Sequence, residues 1–171
     1  MVSFFSSEGY FGIGSETDRY VIQFPAIMST LFMEIKNKLN ELGLSSNDVV
    51  VIGSGILNAL NLRESEDIDV VVTEEKYKEL SNNNRFKKEQ NHGREILVDD
   101  LFEIRTSWTV VGKTWKFDDL LNHSTIIDGI RYNTIEFLLD AKRRWVTDGE
   151  GRQKDIDDVK LMEKHLSDLK K

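Results

Sequence analysis

Val49-Val50-Val51-Ile52-Gly53-Ser54-Gly55, followed after a short interval by Asp67-Ile68-Asp69-Val70-Val71-Val72, is the stretch on which the fold turns. Its first four residues form a short, wholly apolar run that ends in glycine, the pattern of a strand buried on both faces. Residues 55 to 62 have the length of a short helix. A second strand is expected from Asp67 to Val72, where Ile68, Val70 and Val72 alternate with Asp69 and Val71. Asp67 and Asp69 stand two apart on it, so both carboxylates leave the same face.

Two like charges held that close repel, and burying them without a partner is expensive. A divalent cation removes the difficulty, and carboxylates completed by water and phosphate oxygens are what magnesium takes. An isolated Asp-x-Asp is more often a solvated edge pair or part of a salt bridge. Here the strand and glycine turn upstream set it apart.

With that context the stretch resembles the signature of the nucleotidyltransferase (polymerase-β-like) superfamily: an apolar residue, Gly, Gly or Ser, a spacer, then Asp-apolar-Asp-apolar. Ile52, Gly53, Ser54, Asp67, Ile68, Asp69 and Val70 match it in order. Arg63-Glu64-Ser65-Glu66 resembles the Arg-x-Ser/Thr-x-Asp run of the family's small antibiotic-modifying and toxin-type members. The resemblance implies an α+β fold, a small mixed β-sheet flanked by helices and closed by C-terminal helices. It also implies a nucleoside triphosphate as substrate and Mg2+, as one ion or two, as cofactor. Gly53 and Gly55 would leave room for phosphate oxygens, Ser54 would add a donor, and the following helix would aim N–H groups at the same point. Arg63 and Ser65 would join the nucleotide site.

The family needs a third carboxylate on a neighbouring strand. Glu103 lies between Phe102 and Ile104, so alternation turns it away from their apolar face and toward the aspartates. Asp99 and Asp100 are the alternatives, although an adjacent pair before a new apolar run reads as a turn. Asp67, Asp69 and Glu103 are therefore the expected catalytic and metal-binding set. A Glu103 tied to Arg105 or Arg131 would instead favour a protein that binds nucleotide without transferring it.

Toward the C-terminus, residues 134–142 and then Arg152-Gln153-Lys154-Asp155-Ile156-Asp157-Asp158 resemble the closing helices of small nucleotidyltransferases. The resemblance places Lys142 or Lys154 against the nucleotide phosphates. Asp155 and Asp158 read equally well as capping and first-turn charges.

Working outward, Pro25 and the spacing of Ile27, Leu31, Phe32, Ile35, Leu39 and Leu42 predict a helix that stops at Gly43. Thr73 caps a helix with Glu74 and Glu75 in its first turn. Residues 85–90 and 94–98 form a hairpin about Asn91-His92-Gly93, and residues 101–108 a single strand. A short helix spans residues 116–121, and a second hairpin turns at Asp128-Gly129. Asn133 and Glu136 have capping-box spacing ahead of a helix to about Val146, and a last helix follows Gly151. Residues 1–23 read as an arm of unknown role, in which Gly12-Ile13-Gly14-Ser15 lacks a preceding strand and a following lysine. Residues 24–171 form the domain, with its core at about 49–132 and its closing helices at about 133–169.

The 171 residues suffice for one domain, and with no cysteine neither a disulfide nor a thiolate zinc site is available. A net charge of −7 argues against coating nucleic acid through a broad basic face, yet leaves room for a local basic groove and a tRNA acceptor. No signal peptide or membrane span is read in the sequence, and a cytoplasmic location is expected. His92, His123 and His165 lack ligand spacing, and Trp108 and Trp115 suit packing better than base stacking. The leading reading is a metal-dependent enzyme that moves a nucleoside monophosphate onto a hydroxyl of a small molecule, tRNA or protein. The alternative is a non-catalytic nucleotide-binding or toxin-antitoxin interaction module on the same fold. Acceptor, base specificity and oligomeric state are not legible.

Overall fold

The computed structural model of the protein describes residues 29–65 and 67–171. The arm expected at residues 1–23, its glycine run, Pro25 and Glu66 lie outside the described residues. The α+β class is as expected. Among the described residues six helices surround a seven-stranded mixed sheet of order β3-β4-β5-β2-β1-β9-β8, and β6 and β7 form a separate hairpin.

Helix α1 (Ser29–Glu41) ends where glycine permits it: Gly43 has φ +66° and the Leu44 N–H reaches back to the Leu39 carbonyl. Its residues Ile35 and Leu39 are buried against the core. Strand β1 (Val49–Val51) occupies the sheet interior, antiparallel to β2 (Ile68–Val72) and parallel to β9 (Ile130–Asn133). Its three valines are essentially inaccessible, which explains the unbroken apolar run. Each contributes about 1.5–3 kcal/mol of burial. Between these strands sits the short helix α2 (Gly55–Ala59), buried throughout.

Helix α3 (Glu74–Leu80) begins at Thr73, whose hydroxyl accepts the Lys76 N–H. The hairpin of β3 (Lys87–Asn91) and β4 (Arg94–Val98) turns at His92-Gly93 as expected, and that of β8 (Ser124–Ile127) and β9 at Asp128-Gly129. All four turn residues have positive φ, the requirement of such tight connections.

Two expectations need correction. Residues 101–108 are not one strand. β5 (Phe102–Arg105) joins β2 in parallel, the chain bends at Thr106, and β6 (Ser107–Val110) leaves to pair with β7 (Lys113–Lys116), a strand not expected from the sequence. The reason is aromatic packing. Trp108 faces Trp115 across the hairpin, and both set their rings edge-on to Phe137 of α5 (Ile135–Thr147). The cap of α5 is the second correction. Thr134, not Asn133, accepts the first-turn N–H, from Phe137, while Asn133 is buried in β9. Helix α4 (Phe117–Leu121) follows β7, and α6 (Gln153–Asp168) packs along α5 to close the domain.

Candidate active site

The glycine turn and the aspartates meet because β1 and β2 are neighbours. The Ile52 N–H donates to the Asp69 carbonyl at 2.9 Å, so the residue entering the turn is tied to the carboxylate-bearing strand. Gly53 has φ +65°, and a β-carbon there would lie 3.6 Å from Asp69 Oδ2. The turn therefore needs a residue at ease in the left-handed region, and its bare backbone faces the carboxylate. Gly55 is glycine for another reason. A β-carbon would sit 2.5 Å from Val51 Cγ1, so its missing side chain is demanded by packing. The five-residue α2 is too short to act as a phosphate-binding helix terminus, leaving the turn itself as the exposed feature.

Parallel pairing of β2 with β5 sets Asp69 directly opposite Glu103. The alternative third carboxylates are placed elsewhere. Asp99 accepts the Leu101 and Phe102 N–H groups and pairs with Arg85 at 2.6 Å, holding the turn into β5, while Asp100 is exposed. Burial would raise the Asp99 carboxyl, but these donors hold it below the ordinary range.

Between Asp69 and Glu103 stands Arg105, the second residue on from Glu103 and on the same face of β5. Its Nη2 donates to Asp69 Oδ1 at 2.9 Å and also to Glu103 Oε2. The Asp69 carboxyl is raised to about 6: burial is the largest push, Arg105 pulls against it, and Glu103 and Asp67 add to the rise. Asp67 stands just before β2 and is exposed, with its carbonyl accepting from the Ser65 hydroxyl at 3.0 Å. Among the described residues, no three acidic or histidine side chains are arranged to hold a metal ion.

The expected basic residues are placed unevenly. Lys142 is buried, its Nζ 2.6 Å from Asp155 and 2.9 Å from Asp158. Arg63 grips both oxygens of Asp158, at 2.6 and 2.9 Å, which ties the loop before β2 to α6. Asp155 also accepts the Arg152 N–H at 3.0 Å, so it caps α6 and pairs with Lys142 at once. Lys154 is exposed on the first turn of α6 and lines neither of the clefts described next.

Two depressions meet at Asp69. A small cleft of about 110 Å³ runs between Gly53, Ser54, Lys142 and Arg152. A larger groove of about 680 Å³ carries Asp67, Glu103, Trp108 and Trp145 along its walls. Asp69, Arg105, Trp108, Trp145 and Arg152 border both. In the sequence Arg152 stands out only as the first residue of the run that resembles the closing helices. Its place here depends on the turn into α6, which no local pattern discloses. Ser54 reaches toward the Ser65 hydroxyl at 3.5 Å, closing the small cleft on the side of the loop before β2.

No protein-family model and no curated protein sequence matches the chain. In structure it is similar to ANT(2″)-Ia, solved in complex with adenylyl-2″-tobramycin, with a TM-score of 0.49 and 17% identity over 82% of this chain and 90% of that one. It is likewise similar to a solution structure of the antibiotic-resistance factor ANT(2″)-Ia, with a TM-score of 0.49 and 15% identity over 82% of this chain and 84% of that one. At that overlap and identity the likeness carries no weight for activity.

Proposed function

We propose that this protein is a metal-dependent nucleotidyltransferase that moves a nucleoside monophosphate from a nucleoside triphosphate to a hydroxyl of an acceptor. The observation that carries the reading is the juxtaposition of Asp69 and Glu103 on adjacent parallel strands, with the side-chain-free Gly53 turn against Asp69. Asp69 and Glu103 offer carboxylate oxygens, the donor type that magnesium takes alongside substrate phosphates, and a single cationic nitrogen already bridges them, while Asp67 is not drawn together with the pair in this structure. Asp67, Asp69 and Glu103 would hold the ion, which when bound supplies positive charge to the triphosphate and to the attacking hydroxyl.

The chain's own residues then have separable tasks. Gly53 and Ser54 border the cleft that would receive phosphates, and Arg152 supplies a cation at its rim. Gly55 lets the turn pack against Val51. Lys142 and Arg63 act through Asp155 and Asp158, holding α6 and the Ser65 loop against the turn. The wider groove beyond Asp69 is the place for the acceptor, whether a small molecule, a tRNA end or a protein side chain.

Labelled nucleoside triphosphate incubated with magnesium, the protein and cell extract tests the reading. Label should appear in RNA, protein or a small molecule only when all components are present. The second reading, a nucleotide-binding or toxin-antitoxin interaction module without transfer, is favoured by one observation, the pairing of Glu103 with Arg105. Binding of the triphosphate with no label transferred to any fraction would select it.

A further inference from the structure

Resting on the reading above, we propose that Arg105 is an exchangeable counter-ion of the site: it holds Asp69 and Glu103 until a divalent cation arrives with the triphosphate, and then turns to the phosphates. One nitrogen, Nη2, serves both carboxylates, so it occupies the point where a bridging cation would stand. Two positive charges cannot share that point, and loading the site requires the guanidinium to leave.

The rest of the guanidinium is poorly used. Arg105 Nε is buried without a hydrogen-bond partner, although a guanidinium is a planar fork built to meet an oxyanion with two parallel donors. Its present contacts engage a single corner of that fork. Each carboxylate meets Nη2 through one oxygen only, whereas a phosphate in the cleft beside Gly53 and Ser54 would face the fork with two, and Arg105 already lines that cleft. The side chain is tethered two residues from Glu103 and is partly open to solvent, at 18% exposure, so it can leave the carboxylates without leaving the site.

Exchange makes metal and nucleotide binding interdependent. Metal alone must expel Arg105 into a cleft that offers it no anion. Metal with triphosphate supplies the replacement partner, so each ligand should strengthen the other reciprocally.

The test uses the full chain and Mn2+, whose free concentration is read directly by its paramagnetic signal. Wild type, Arg105→Gln and Arg105→Lys are titrated with Mn2+ alone and with Mn2+ plus a non-hydrolysable triphosphate, and thermal midpoints are followed in parallel. Wild type should bind Mn2+ weakly alone and more tightly with the nucleotide. Arg105→Gln should bind Mn2+ alone about tenfold more tightly than wild type, within the ordinary span of a coupling between ligands. The same variant should lose most of the reinforcement by nucleotide. Arg105→Lys, whose ammonium stops one bond short of the Nη2 position, keeps a cation near the pair should the glutamine variant fail to fold. Its affinity for Mn2+ alone should fall between the other two. Equal Mn2+ affinity in wild type and the folded variants, with nucleotide binding intact, would overturn the exchange while sparing the nucleotidyltransferase reading. No midpoint shift with Mn2+ and nucleotide in wild type would remove both.

Discussion

Two clusters in this molecule place aspartates against basic side chains, and they are built in opposite ways. In the first, Lys142, Asp155 and Asp158 are about 95% removed from solvent, and each carboxylate receives donors on both oxygens. In the second, Asp69 and Glu103 keep 30% and 36% of their side chains exposed and share one arginine nitrogen. Burial drives carboxyls up in both places. Around Asp155 and Asp158 the lysine and arginine donors overcome it and hold the groups below the ordinary range, whereas Asp69 ends at about 6. A cluster in which every carboxylate oxygen receives a donor holds helices together. The other shares one donor between two carboxylates beside a cleft, the arrangement on which the proposed cation site rests. The two differ in the same physical term, how fully the buried charge is compensated.

Breaking the closed cluster should have the largest effect. Lys142→Met leaves Asp155 and Asp158 buried without their shared cation, a loss of about 3–5 kcal/mol in unfolding free energy, measured by urea titration. Arg63 and Arg152 remain to soften it, so the lower end is expected. The same cluster should govern acid stability. Both aspartates have folded values below the ordinary 3.8, so they stabilise the fold at pH values above that range. The contribution is lost as pH falls from about 4 through the lower folded values. Wild type should therefore lose stability steeply in that window, and Asp158→Asn should show a shallower slope from a lower plateau. A slope unchanged by Asp158→Asn would place the acid sensitivity elsewhere.

A middle-sized effect separates the two glycines of the turn. Gly55 belongs with the packed region, because an added methyl would strike Val51. Gly55→Ala should cost about 1–3 kcal/mol, as overpacking does. Gly53→Ala meets only an ordinary contact at 3.6 Å, so its cost is the strain of φ +65°, about 1–2 kcal/mol, and its main effect should fall on nucleotide affinity. Calorimetric binding of a triphosphate with magnesium separates the two. A Gly55→Ala protein that loses stability but binds normally, beside a folded Gly53→Ala protein that binds poorly, is the expected pair of results.

What the sequence disclosed follows the reach of local patterns. The valine run, the alternation of Ile68 with Asp69, and the Asn91-His92-Gly93 and Asp128-Gly129 turns are each written within a few residues, and the structure has them. Glu103 was legible as a candidate because alternation fixes its face, but its placement opposite Asp69 depends on parallel strand order. The bend at Thr106 was hidden because residues 101–108 alternate acceptably straight through it; the short hairpin to Trp115 and the packing on Phe137, far along the chain, draw Trp108 out of the sheet. Lys142 was read as a phosphate ligand because sequence shows a lysine and not the two aspartates that surround it. The pairing of Arg105 with both carboxylates is invisible for the same reason: ion pairs are decided by tertiary position.

The smallest expected change in stability is also the sharpest contrast. Asp69→Asn and Asp158→Asn make the same chemical substitution in the two clusters. At Asp158 the amide gives up its ionic bonds to Arg63 and Lys142, and stability should fall. At Asp69 the balance differs, because the folded state holds the proton more tightly than the unfolded chain does. Its contribution is present at acid pH and is lost as pH rises through about 6, so the ionised form is a burden to the fold near neutrality. Asparagine removes that burden, in which the attraction to Arg105 is already counted, so the variant should be no less stable than wild type near neutrality. The expected change at neutral pH is within about 1 kcal/mol, with the variant's stability flatter between the ordinary carboxylate range and neutrality. Magnesium with triphosphate should nevertheless no longer raise the midpoint of Asp69→Asn, since a neutral amide cannot replace a carboxylate toward the ion. A variant as destabilised as Asp158→Asn would show that the second cluster is structural too, and a preserved ligand shift would move the nucleotide away from Asp69.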